Sequence, residues 1–239
     1  MIALNLLAQF VHNHPMIRIR CVLADALYGT QAFMHTASKI CGGVQVISQI
    51  RRNQLITTKN RSQSVQAYFT SYPGVQFDLR IRGGNTKTIT LAGARLHVDA
   101  HGTKLFVLAV RYDGEKENRY IVATDLTWRM TDIAQAYTLR WLVEVFFQDW
   151  KSHEGWCQLA KQPGVDGAYR GLLLSLLTDH SLFFHEEQKA LIDHKLPAST
   201  VGSLRALVHF EALTAFIREI ISCDNPEEKL EELLTRIQR

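Results

Sequence analysis

Cysteine is scarce in this sequence, and its placement excludes two kinds of site. The chain of 239 residues has four cysteines, Cys21, Cys41, Cys157 and Cys223, and no two of them form a CxxC pair. Structural zinc sites usually need such pairs, and disulfide frameworks are typical of small secreted domains. We therefore expect reduced thiols.

Signals for export, for membrane spanning and for phosphate loops are also missing. The N-terminus lacks the basic start and cleavage site of a signal peptide. The most apolar run, residues 171–184, is too short for a bilayer and is interrupted by Asp179 and His180. Gly42-Gly43 lacks the spacing and the Lys-Ser/Thr of a P-loop. We expect a cytoplasmic protein without membrane association.

Acidic residues are rare in the first half of the chain, and none precedes Asp25. Residues 1–123 hold 15 Lys and Arg against 6 Asp and Glu, whereas residues 124–239 hold 12 against 17. A basic half indicates a polyanionic partner, most commonly nucleic acid, although it also fits a charge that only aids solubility.

The hydrophobic pattern predicts an α/β protein. With 46% apolar and 21% charged residues, the chain is typical of globular proteins and long enough for one sizeable core. Periodicity predicts a helix over 2–12, a buried central strand over 17–24, a helix over 30–40 and a strand over 44–50. That order favours parallel strand pairing.

The middle of the chain changes character before helices return. The polar stretch 51–61, with four basic residues, resembles a loop. Alternating runs then predict an antiparallel meander with turns at Gly83-Gly84, His101-Gly102 and Asp113-Gly114. The predicted strands cover 75–82, 87–98, 104–112 and 119–124. A long helix is predicted over 132–151, and the chain after Pro163-Gly164 is predicted to be helical, ending in an acidic amphipathic helix from Pro226.

The predicted long helix carries a polar stripe. Tyr137, Arg140, Glu144 and Lys151 are three, four and seven residues apart, which on one helix places them within about 60° of each other. The apolar residues on the opposite side are predicted to be buried: Leu139, Leu142, Val143, Phe146 and Trp150. Such a stripe is ordinarily a solvated face. Here it pairs a carboxylate with two cations and a phenol.

Asp25 is the natural partner of this stripe. It comes directly after the best strand, and in open α/β sheets ligands gather at the carboxyl ends of strands. Asp in such a position also serves as a turn former or helix cap. If the fold brings Asp25 and Glu144 together, a divalent cation relieves their repulsion, and Mg²⁺ prefers oxygen ligands.

These residues carry a family resemblance. The segment Val22-Leu-Ala-Asp25-Ala-Leu-Tyr-Gly29 resembles the region around the second aspartate of DDE transposases from bacterial insertion sequences. Tyr137, Arg140, Glu144 and Lys151 match the Y-(2)-R-(3)-E-(6)-K signature of the insertion-sequence-four-type group. The resemblance implies an RNase H-like core with a β-rich insertion and C-terminal helices. The corresponding regions are 1–50 and 125–162 for the core, 51–124 for the insertion and 163–239 for the helices.

The resemblance also implies roles for single residues. Asp25 and Glu144 would be catalytic ligands of two Mg²⁺ or Mn²⁺ ions that promote phosphodiester cleavage and strand transfer. The phosphates of double-stranded DNA at the inverted-repeat ends would bind to Tyr137, Arg140 and Lys151. Further phosphate contacts would come from Arg51 and Arg52. Some relatives use an aromatic residue of the insertion to hold a flipped base, a role that Trp128 or Tyr72 could take. No motif assigns that role to either residue, and a packing role is favoured for both. A homo-oligomer on DNA, associated with the bacterial nucleoid, is expected.

One departure from the family pattern is that no carboxylate stands where the family has its first aspartate. The first strands of the core also have no sequence to form them. We therefore expect the C-terminal part of a truncated transposase, with an incomplete core and doubtful activity. An alternative is an inactive DNA-binding or dimerising remnant that interferes with a full-length transposase, and a third possibility is an unrelated RNase H-like metal nuclease.

Overall fold

The computed structural model describes residues 2–58, 61–80, 86–156, 163–193 and 200–237. Lys59, Cys157 and the predicted turn at Gly83-Gly84 lie outside these ranges. The chain divides into two compact units, Met1–Val143 and Glu144–Arg239, and each is described by itself.

The first unit combines one sheet with four helices among its described residues. The strands are β1 (Cys21–Leu23), β2 (Gln45–Ile50), β3 (Leu55–Thr58), β4 (Arg61–Ser64), β5 (Val75–Arg80), β6 (Thr86–Val98), β7 (Thr103–Tyr112) and β8 (Arg119–Ala123). The helices are α1 (Ile2–Asn13), α2 (Gln31–Ile40), α3 (Val65–Thr70) and α4 (Met130–Thr138).

The eight strands form one mixed sheet in the order β1-β2-β8-β7-β6-β3-β4, with β5 also paired to β6. β1 and β2 are parallel, and the remaining pairs are antiparallel. The predicted parallel pair and antiparallel meander are therefore confirmed. The meander continues the sheet of the parallel pair, because β8 hydrogen-bonds with β2 from Ile47↔Ala123 to Ile50↔Tyr120.

Two strand predictions need correction. The predicted central strand over 17–24 is reduced to β1, whose one neighbour among the described strands is β2. Ile17 is exposed and pairs with no described strand. The predicted loop over 51–61 instead contains β3 and the start of β4, a hairpin that β6 extends. Ile56 anchors this hairpin because its side chain is fully buried.

The predicted single helix over 132–151 is also wrong. It breaks at Leu139 and Arg140, which separate α4 from α5 (Trp141–His153). At the break, the Leu139 and Arg140 amides donate to the carbonyls of Ala136 and Tyr137, three residues back. These tighter 3₁₀-type bonds replace the α-helical pattern, so the side chains after the break do not continue the faces of α4. Tyr137, predicted to lie on the polar face, is buried. The apolar side chains predicted to be buried are instead exposed: Leu139 (54%), Leu142 (43%), Val143 (57%) and Phe146 (39%).

The sheet of the first unit is covered on both faces. On β7, Val107 and Ala109 belong to a core shared with residues of α2 and α3, with α1 packed against it. Leu108 and Val110 belong to a second core that includes Ile133 of α4. Side chains alternate between faces along a strand, so the register of β7 decides which helix each residue meets.

Helices make up the described secondary structure of the second unit. After α5, whose first residues belong to the first unit, they are α6 (Gly164–Phe183), α7 (Glu186–Asp193), α8 (Val201–Ile221) and α9 (Pro226–Ile237). Trp150 of α5 donates from its indole nitrogen to the buried Ser175 hydroxyl of α6 at 2.9 Å. None of the described helices is long and apolar enough to cross a membrane.

A buried carboxyl group stands just after the end of α5. Glu154 is 2% exposed, and within the described part of the chain neither of its carboxylate oxygens meets a hydrogen-bond donor. Burial, followed by the nearby carboxylates of Asp179 and Asp149, raises the pKa of Glu154 from 4.5 to about 7. The folded chain therefore holds a proton that the unfolded chain releases at lower pH.

We predict that Glu154 makes folding stability pH-dependent. Since its pKa is raised on folding, its stabilising contribution is complete below pH 4.5 and is lost as the pH rises to about 7. Glu154→Gln should keep the fold, flatten this dependence and stabilise the chain above neutral pH. Urea unfolding midpoints on both sides of the window measure the effect, with Glu227→Gln on the exposed surface as control. Equal pH dependence in wild type and Glu154→Gln would contradict the assignment.

Candidate active site

Asp25 stands immediately beyond the carboxyl end of β1. The Ala24 amide donates to the Ile47 carbonyl at 2.9 Å, so the β1–β2 pairing continues to the residue before it. The Asp25 carboxylate is exposed and accepts a 2.8 Å hydrogen bond from the Ala26 amide, which caps a short 3₁₀ turn. One carboxylate oxygen is thereby oriented, and the group remains accessible to a ligand.

The loop that carries Asp25 is held to the sheet by two side chains far away in sequence. The buried Ser48 hydroxyl donates to the Asp25 carbonyl at 2.8 Å. His101, between β6 and β7, donates from Nε2 to the Gly29 carbonyl at 3.2 Å. Burial lowers the pKa of His101, against the opposing effect of this hydrogen bond, and so favours a neutral imidazole.

Gly29 lets this loop approach β2 closely. A Cβ atom at this position would lie 2.1 Å from the Gln49 carbonyl oxygen, which is backbone and cannot turn aside. Glycine is therefore required by close approach rather than by an unusual φ angle. The sequence motif contained this residue, but the reason for it depends on a strand about twenty residues further along.

Tyr137 lies beside Asp25. Its ring is 8% exposed in the core under α4, and its hydroxyl points to the Ala24 carbonyl at a long 3.5 Å. Burial raises the pKa of Tyr137 to about 12, with Arg140 lowering it and the Asp25 carboxylate raising it. The phenol is neutral at physiological pH and can act only as a hydrogen-bonding group.

Cations surround the two tyrosines on this face of the sheet. The Arg140 guanidinium lies 5.9 Å from the centre of the Tyr137 ring. Arg119 and Lys87 lie 5.2 Å and 5.9 Å from the centre of the Tyr112 ring. Burial raises the pKa of Tyr112, so this ring is neutral as well. Glu115 pairs with Arg119, so Arg140 and Lys87 are the cations that give this aromatic surface a positive charge near the Asp25 carboxylate.

The structure thus brings three of the predicted site residues together in the first unit: Asp25, Tyr137 and Arg140. Glu144 and Lys151 lie in the second unit, in the first and last turns of α5. Seven residues apart on one helix, they share a face. Glu144 is partly buried and Lys151 is exposed.

The remaining candidates lie away from Asp25 in sequence. Arg51 is exposed, and Arg52 pairs through Nη1 with Glu117 at 2.9 Å. Trp128 packs against the core under α4, whereas Tyr72 is 56% exposed and lies over the Tyr68 ring at 4.9 Å. Among the described residues, no group of three or more His, Cys, Asp or Glu is arranged to hold a metal.

Comparison with known proteins relates the chain to a protein family. A family model described as "Transposase DDE domain" matches residues 2–177. No curated protein matches the chain. The mixed α/β architecture, with a central sheet and flanking helices, is consistent with the RNase H-like DDE domain that the sequence predicts.

We predict that Gly29→Ala destabilises the first unit through its clash with β2. Overpacking against backbone costs about 2–3 kcal/mol. Gly42→Ala is the matched control, because nothing lies within 4 Å of its Cβ position and its cost comes only from a φ of +80°, about 1 kcal/mol. Chemical unfolding of the two variants measures the difference. If Gly29→Ala and Gly42→Ala lower the free energy of unfolding equally, Gly29 does not lie against the Gln49 carbonyl as described.

Proposed function

The chain belongs to the DDE transposase family, and we propose that Asp25 and Glu144 are two of the carboxylates that process transposon DNA. The family match supports a function in DNA transposition. The observation that carries the assignment is the placement of Asp25 beyond the carboxyl end of a parallel strand, beside Tyr137 and Arg140.

The donor chemistry fits the divalent ions that the family generally uses. Asp25 offers an exposed carboxylate at a strand end, and Glu144 offers a second from α5. Oxygen ligands of this kind favour Mg²⁺, with Mn²⁺ as a substitute. When bound, such ions supply Lewis-acid activation of a water or a DNA 3′-hydroxyl and stabilise the leaving oxygen.

The other residues of the proposed site bind and position DNA. Arg140 suits bidentate contact with a phosphate, and Lys151 acts as a mobile point charge. Tyr137 is a neutral phenol, and burial raises its pKa further, to about 12, so it supplies a hydrogen bond without a competing charge. Arg51 and Arg52 add contacts from the loop after β2. Together these groups would hold the inverted-repeat end of the double-stranded transposon, and target DNA afterwards.

We further propose that the chain acts as a homo-oligomer on DNA. Two helices of the second unit expose apolar rows: Val165, Tyr169, Leu173 and Leu177 on α6, and Phe210, Leu213, Ile217 and Ile221 on α8. Residues spaced three and four apart form a continuous stripe on a helix, and exposed apolar patches commonly mark protein contacts.

A second candidate is a DNA-binding protein that does not cut and that interferes with an active transposase. The basic composition of residues 1–123, with 15 Lys and Arg against 6 Asp and Glu, supports DNA binding whether or not the chain cuts. The two candidates share DNA binding and differ in Mg²⁺-dependent strand cleavage by the 239-residue chain.

We predict salt-dependent binding of the chain to duplex DNA through Arg140 and Lys151. Each Ala substitution removes about one phosphate contact, so the slope of log affinity against log salt should fall by about 1. Lys104→Ala, on the exposed start of β7, is the control of equal charge. Titration by fluorescence anisotropy at several salt concentrations measures the slopes. No binding, or binding insensitive to salt, would refute the proposed DNA partner.

A further inference from the structure

A cavity of about 280 Å³ opens in the first unit on the sheet face opposite α4. It lies between α3 and the turn that joins β7 to β8. Its inner wall includes two aromatic side chains, Phe69 and Tyr120, whose ring centres are 6.1 Å apart. Both are almost fully buried in the core under α3. This wall is aromatic and belongs to the core.

The strand register separates this cavity from the surroundings of Asp25. The core that includes α3 contains Val107, Ala109 and Tyr120. Arg111, two residues after Ala109 on β7, lies on the same face of the sheet and lines the cavity. Tyr112, the next residue, packs on the opposite face in the core that contains Tyr137. The cavity is therefore a different place from the candidate active site, and β7 contributes side chains to both faces of the sheet.

The rim of the cavity is positively charged. Arg52, Arg111 and Lys116 line it, and Glu117 is the one acidic residue among the described residues of its lining. Thr70 and Asn118 add uncharged polar groups. Three cations against one carboxylate favour an anionic ligand, and arginines in particular suit phosphate oxygens.

Glu117 forms an ion pair with Arg52 at the rim. Arg52 Nη1 and Glu117 Oε1 are 2.9 Å apart, and the two side chains are 59% and 73% exposed. Exposed ion pairs of this kind contribute little to stability, so a phosphate can displace the carboxylate. The ion pair would then act as a competitor for the anion.

We propose that this cavity binds a backbone phosphate of DNA through the cations of its rim. The proposal rests on the proposed function and extends it to a second contact on the far face of the sheet. Exposed cations at the rim suit a polymer whose phosphates pass across the mouth, whereas small-molecule sites bury most of their ligand. The net positive charge of residues 1–123 agrees with this partner.

The test is the affinity of the full chain for a labelled DNA duplex, measured by fluorescence anisotropy against salt. Arg52→Ala and Lys116→Ala should each lower the salt slope by about 1 and weaken binding uniformly across sequences. Glu117→Gln should tighten binding about two- to fivefold, because it removes the competing carboxylate. Asp113→Asn makes the same charge change on the same turn outside the cavity, and it should change affinity less. Thermal unfolding checks that each variant is folded.

Several results would overturn the proposal. One is that Glu117→Gln and Asp113→Asn change the affinity for DNA equally. Another is that Arg52→Ala and Lys116→Ala lower the salt slope no more than Lys104→Ala does. If the cavity variants bind normally while Arg140→Ala and Lys151→Ala weaken binding, the cavity assignment and the proposed Arg52 contact fail, and the rest of the proposed function stands. If no variant and no wild-type chain binds DNA, both fail. Displacement of DNA by inorganic phosphate at constant ionic strength would assign the cavity to a free anion instead.

Discussion

The pairing of β2 with two different neighbours is the constraint on which the first unit depends. On one side, β2 pairs in parallel with β1, which leads into Asp25. On the other side, β2 pairs antiparallel with β8, the last strand of the meander. Val46, Ile47 and Ser48 are fully buried as a result. Ser48 uses its hydroxyl to fix the Asp25 carbonyl, so the central strand both supports the sheet and sets the position of the carboxylate.

Desolvation shapes the chemistry around that carboxylate. Burial keeps Tyr137, Tyr112 and His101 neutral, and each then contributes through hydrogen bonds or ring faces rather than charge. The cations near them include Arg140, over the Tyr137 ring, and Arg119, which is paired with Glu115. A DNA end approaching Asp25 would therefore meet positive potential and neutral donors, which is the arrangement that a polyanionic substrate requires.

The sequence predicts the elements whose signals are local. Period-two alternation located β6, β7 and β8, and the apolar run before Asp25 placed that residue at a strand end. The break at Leu139 was not predictable, because neither Gly nor Pro marks it. The β3–β4 hairpin was missed because its Ser, Thr and Gln residues have little apolar alternation, and its stability comes from pairing with β6. The contacts of Ser48 and His101 join residues 23 and 72 positions apart, which no local pattern reveals.

The most direct test of the central claim maps the proposed metal ligands without requiring cleavage of DNA. Fe²⁺ substituted for Mg²⁺, with ascorbate and peroxide, cuts protein backbone next to the bound ion. In the complex of the chain with transposon-end DNA, we expect cuts close to both Asp25 and Glu144. Excess Mg²⁺ should suppress them, and Asp25→Asn or Glu144→Gln should remove them. Cuts elsewhere in the chain, unchanged by either substitution, would contradict the assignment of these two carboxylates.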